Sequence, residues 1–122
     1  METTERVVNG LTILRVRGRL AASPEDTDLE TFNFALTDLI ARGCIEIGIN
    51  LEAVKLVDAE GLGELAHAFT RVTRLGGRLV LIAPAERTRK LLAVTRLDSV
   101  LKLFASEQEA VESRWGHQAL SA

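Results

Sequence analysis

Ile45-Glu46-Ile47-Gly48-Ile49-Asn50-Leu51-Glu52-Ala53-Val54-Lys55-Leu56-Val57-Asp58-Ala59-Glu60-Gly61-Leu62-Gly63-Glu64-Leu65 passes from a β-rich run to a helix with two closely spaced glycines at its start. Ile45 to Leu51 is dense in apolar and β-branched residues, which predicts a buried strand. A loop is expected next. Asp58 stands where the helix begins, and Leu62, Leu65, Ala66, Phe69 and Val72 recur along one face of it at helical spacing. Gly76-Gly77 stops the helix.

Residue type sets the chemistry of this turn. The Asp58 carboxylate can accept from the free N–H groups of the first turn and complement the positive end of the helix dipole, so it reads as an N-cap. Glu60 reads as a first-turn glutamate favoured by the same dipole. Gly61 and Gly63 each cost about 1 kcal/mol against alanine inside a helix, and such penalties gather at functional sites. Two explanations stand for them: close packing of the helix on the sheet, or an open surface that a partner's backbone can approach.

Upstream, Val7-Val8-Asn9-Gly10-Leu11-Thr12-Ile13-Leu14-Arg15-Val16-Arg17 alternates apolar and polar residues after Asn-Gly, a hairpin signal. Gly18-Arg19-Leu20 ends the second strand, and Ser23-Pro24-Glu25-Asp26 is a polar turn. A helix with Leu29, Phe32, Leu36, Leu39 and Ile40 on one face follows, closed by Gly43. Downstream, Arg78 to Ala83 reads as a strand covered on both faces. Glu86 to Thr95 reads as a short helix and Val100 to Phe104 as a last strand. Ser106 with Glu109 forms a capping box that starts a fourth helix. The expected class is α/β: a mixed sheet of about five strands that opens with an antiparallel hairpin, with about four helices and right-handed crossovers.

A chain of 122 residues has room for one core. One domain is expected over 1–115, with 116–122 as a loose tail. Apolar residues make up 47% and charged residues 26%, and the net charge is −2 with both signs interspersed. That balance is globular and leaves no basic footprint for nucleic acid. No apolar run reaches the roughly 20 residues of a membrane span, and Met1-Glu2-Thr3-Thr4-Glu5 lacks the pattern of a secretory signal. The expected location is the cytoplasm, without direct membrane insertion. Cys44 is the single cysteine, which excludes an internal disulfide and a cysteine metal cluster. It reads as a small buried apolar residue.

Asp58-Ala59-Glu60-Gly61-Leu62-Gly63, the Gly18-x-Leu20 exit, and Ser106, Glu109 and Ala110 at the last helix start resemble the STAS domain family of anti-sigma factor antagonists. The resemblance covers about residues 5 to 113 and implies the STAS fold. In that family the loop reads Asp-Ser-Ser-Gly-Leu-Gly, and a partner anti-sigma kinase phosphorylates the first serine to break the complex. Phosphorylation acts there by adding about two negative charges to a docking surface. Ala59 occupies the acceptor position and has no hydroxyl, so the phosphorylation site is degenerate. Glu60 replaces the second serine, about 100° around a helix from the acceptor, and mimics phosphoserine poorly. Two further family carboxylates correspond to Asn50 and Ala21.

The resemblance implies an interaction module with no catalysis and no cofactor, contacting its partner through Asp58, Ala59, Glu60, Gly61, Leu62, Gly63 and Glu64. The implied partner is an anti-sigma factor or serine kinase-like protein, and the implied outcome is transcription regulation. The alternative is a scaffold or accessory subunit of a signalling assembly or ABC-type lipid-transport complex, contacting other STAS or transporter subunits. A homodimer is compatible with either.

Other residues carry weaker signals. Gly61-Leu62-Gly63-Glu64-Leu65-Ala66 fits a dinucleotide fingerprint, but Asp58 and Glu60 would face the pyrophosphate and no acidic residue ends the strand near Ala83. His67 and His117 make no metal spacing and have no nucleophile near them in sequence. Glu86-Arg87-Thr88-Arg89-Lys90 reads as a solvated helix face, and Trp115 as a core or tail-docking residue.

Overall fold

The computed structural model describes residues 1–24 and 27–113. Glu25, Asp26, Trp115, His117 and the tail expected over 116–122 lie outside the described residues.

β1 (Glu2–Val8) and β2 (Leu11–Leu20) pair antiparallel across Asn9 and Gly10. Both turn residues have positive φ, 51° and 84°, as a type I′ hairpin turn requires. β3 (Glu46–Val57), β4 (Arg78–Ile82) and β5 (Leu103–Phe104) then add in parallel, giving one sheet in the order β1-β2-β3-β4-β5. Between the strands run α1 (Asp28–Ala41), α2 (Ala59–Arg74) and α3 (Glu86–Val94), and α4 occupies 107–113 of the described residues. The mixed sheet with its opening hairpin and four helices is the expected architecture.

The helices bury two separate cores. On one face, Phe32, Leu36 and Leu39 of α1, Leu62, Leu65, Ala68 and Val72 of α2, and Leu92 of α3 pack on Leu14, Val16, Ile47, Ile49 and Leu81. On the other, Ala110 and Val111 of α4 cover Leu11, Ile13, Val80 and Ile82. Each large side chain so buried contributes about 1.5–3 kcal/mol relative to exposure. Burial on both faces explains the unbroken apolar run of β4. α4 starts as its sequence predicts, with Ser106 Oγ accepting from Glu109 N–H (3.1 Å) and the Glu109 carboxylate accepting from Ala105 N–H (3.1 Å).

Two strand boundaries differ from expectation. β3 does not stop at Leu51: the stretch expected as a loop continues as strand to Val57. Its buried residues Leu51, Val54 and Val57 are spaced by three, a period that suits neither strand nor helix alone. Two register shifts against β2 absorb the mismatch, each placing one extra residue in β3, so all three side chains stay on the core side. The last strand is shorter than expected. Leu97–Ser99 forms a 3₁₀ turn, Leu101 is buried in the first core, and only Leu103 and Phe104 pair with Leu81 and Ile82.

Cys44 is half-buried against the first core. On α3, Thr88 is buried while Glu86, Arg87, Arg89 and Lys90 face water. Among the described residues no helix is long and apolar enough to cross a membrane.

Candidate functional site

Asp58 is the N-cap of α2 and does more than cap it. One carboxylate oxygen accepts from Gly61 N–H (2.9 Å) and the other from Ala22 N–H (3.0 Å), in the connection after β2. Its own N–H donates to Leu20 O (3.1 Å). One side chain therefore ties the start of α2 to the end of β2. The Gly61 amide is the main cause holding the Asp58 carboxyl below its ordinary range, opposed by partial burial and helped by Ala22 N–H.

The two glycines of the turn have different physical causes. A Cβ on Gly61 would lie 1.6 Å from Leu20 O, so only glycine lets the helix approach the strand this closely. A Cβ on Gly63 would meet nothing within 4 Å. Close packing explains the first glycine and open surface describes the second. The Gly61 amide is already taken by Asp58, which leaves it unfit to cradle a pyrophosphate.

Of the seven turn residues, Gly61 and Leu62 are buried. Ala59, Glu60 and Gly63 are exposed, and Asp58 and Glu64 are half-buried. Ala59 and Gly63 are four apart in α2 and share a face. The backbone there is covered by at most one methyl group. Glu64 is held by Asn33 of α1, whose side-chain amide donates to Oε2 (3.0 Å). His67 is exposed one turn further along.

A second polar cluster lies on the α4 side of the sheet. Glu107 receives the Arg15 guanidinium through two bonds, Nε at 2.7 Å and Nη2 at 2.9 Å, with Arg6 Nη2 at 2.5 Å and Asn50 Nδ2 at 2.6 Å. These bonds, led by Arg15, draw its carboxyl down from 4.5 to about 2 against the opposing effect of burial. Asn50 thus ties β3 to α4 through Glu107. Sequence reading missed this cluster, as it missed the Asn33–Glu64 bond, because each joins elements far apart in the chain.

The STAS domain family profile matches residues 2–110. A Thermotoga neapolitana protein, named as an anti-sigma factor antagonist and TM1081 homolog, is 29% identical over 79 residues, 65% of this chain and 70% of that protein. The crystal structure of TM1081 from Thermotoga maritima aligns with a TM-score of 0.78 at 22% identity, covering 91% of this chain and 92% of that one. The anti-sigma factor antagonist SpoIIAA in its unphosphorylated form aligns with a TM-score of 0.71 at 20% identity, covering 94% of this chain and 99% of that one. With the hairpin-led mixed sheet, the Asp58-capped helix and a profile match from β1 into α4, the chain belongs to the STAS domain family.

Proposed function

We propose that this chain is an antagonist-like interaction module that docks an anti-sigma factor, or a serine kinase-like relative of one, through the turn from Asp58 to Glu64. The observation that carries the reading is the bare face of α2. Ala59 and Gly63 expose backbone at a helix start that Asp58 and Gly61 hold fixed against β2. A rigid, side-chain-poor surface can be approached closely at little entropic cost. The anti-sigma factor antagonist names among its relatives support the same partner class.

Because Ala59 carries no hydroxyl, the docked state is not released by phosphorylation at that position. The module has no catalytic step, acts in the cytoplasm to regulate transcription, and comprises residues 1–115 as one domain. A second reading, a scaffold or accessory subunit of a signalling or lipid-transport assembly, draws on the same missing hydroxyl, since a permanent subunit needs no release.

Affinity capture of the tagged chain from its native extract, with Gly63→Arg in parallel and mass spectrometry of what is retained, tests the reading. An anti-sigma kinase recovered with the native chain and lost with Gly63→Arg is expected. Recovery of transporter or sensor subunits in its place would move the chain to the second reading.

A further inference from the structure

α1 commits Phe32, Leu36 and Leu39 to the core, yet leaves Phe34 with 77% of its surface exposed. An aromatic ring in water is unremarkable alone, but this one borders a groove of about 440 Å³ that joins α1 to the start of α2. Leu29, Glu30, Asn33, Thr37 and Glu64 line the rest of it. Glu64 follows Gly63 directly and is pinned by Asn33 (3.0 Å), so the groove is continuous with the turn. Among the described residues no lysine or arginine lines it. Arg71 reaches Thr37 Oγ1 (3.1 Å) without itself forming the wall.

The charge pattern selects the occupant. Glu30 and Glu64 flank the apolar contact, and Glu60 is exposed on the adjoining turn. Two like-charged carboxylates beside an aromatic ring favour an apolar side chain with cations on either side of it, and disfavour an acidic segment. A second copy docking by the same patch would oppose carboxylate to carboxylate across its twofold axis. A nucleic acid backbone or an anionic membrane would meet the same repulsion.

We propose that this groove receives a segment of the partner protein that presents one apolar side chain between arginine or lysine residues, with Phe34 as its contact. The assignment rests on the reading of the Asp58–Glu64 turn as the docking surface and adds to it the partner's chemistry.

A short fluorescent peptide with one leucine flanked by arginines, and a counterpart with glutamates in their place, test it by anisotropy and by amide shifts of the labelled protein. The arginine peptide is expected to bind, with shifts confined to Glu30–Thr37 and to Gly63 and Glu64. Phe34→Ser should weaken it about tenfold, the scale of one contact residue, at an unchanged thermal midpoint. Glu30→Lys should act in the same direction. Equal binding of both peptides, no binding of the arginine peptide, or indifference to Phe34→Ser would overturn the assignment. With the captured partner, loss in Gly63→Arg but full affinity in Phe34→Ser removes the groove and leaves the turn, whereas full affinity in both removes both.

Discussion

Gly61 sits so close to Leu20 that a methyl group on it would overlap the strand's carbonyl oxygen, at 1.6 Å. Two residues later, Gly63 faces open space. The glycine pair thus divides one short turn into a half that fixes the helix and a half that is free to meet something else.

Alanine at these two positions should act in opposite directions. Gly61→Ala is expected to lose about 3 kcal/mol, because the backbone it meets cannot move aside cheaply. Gly63→Ala should gain about 0.5–1 kcal/mol from helix propensity and a less flexible unfolded chain. Urea midpoints of the two variants measure this, and similar losses in both would contradict the division.

Asp58→Ala removes the cap and the tie to Ala22 together, with an expected loss of about 1–2 kcal/mol. The pH dependence has a definite sign. The Asp58 carboxyl is held below its ordinary range in the folded state. Its contribution is therefore complete above that range and fades as pH falls through the lowered value. Stability of the native chain should drop more steeply on acidification than that of Asp58→Ala, as followed by chemical denaturation across the acid range. Parallel acid limbs would rule out the ionised carboxylate as the source of that stability.

Asn50→Asp would set a second carboxylate where the Asn50 amide now lies 2.6 Å from Glu107. The expected loss is about 2 kcal/mol at neutral pH, from a lost hydrogen bond and like-charge repulsion. It should shrink on acidification, as one carboxyl of the new pair takes up a proton. Native Glu107, drawn down to about 2 from 4.5, behaves oppositely: its stabilisation is present above pH 4.5 and is lost as pH falls toward 2. Thermal midpoints of both proteins over this window check the two signs, and an unaltered midpoint in Asn50→Asp would show that α4 does not depend on the amide.

Ala59 should take no phosphate from a cognate anti-sigma kinase, and Ala59→Ser should restore labelling at that residue alone. Phosphopeptide mapping of both proteins checks the two outcomes. Robust labelling of the native chain at Ser99, Ser106 or a threonine would mean that release is controlled elsewhere.

Where a physical signal is local, the sequence carried it. Asn9-Gly10 dictated the hairpin turn, Asp58 the cap, and Ser106 with Glu109 the start of α4, each through bonds within a few residues. The length of β3 was hidden because Leu51, Val54 and Val57 keep to one face only through register shifts that depend on β2. The different reasons for Gly61 and Gly63 were equally hidden, since the carbonyl that decides between them belongs to Leu20, far back in the chain. Phe34 could be excluded from the core face of α1 by period alone, but its groove needs α2 beside it.

The affinity of purified Gly63→Arg for the captured partner, measured by calorimetry beside its thermal midpoint, tests the docking surface most directly. The expected result is binding lost by more than about tenfold with the midpoint nearly unchanged, because the new side chain enters open space. Native affinity in a fully folded Gly63→Arg would contradict the assignment of the Asp58–Glu64 turn as the docking surface.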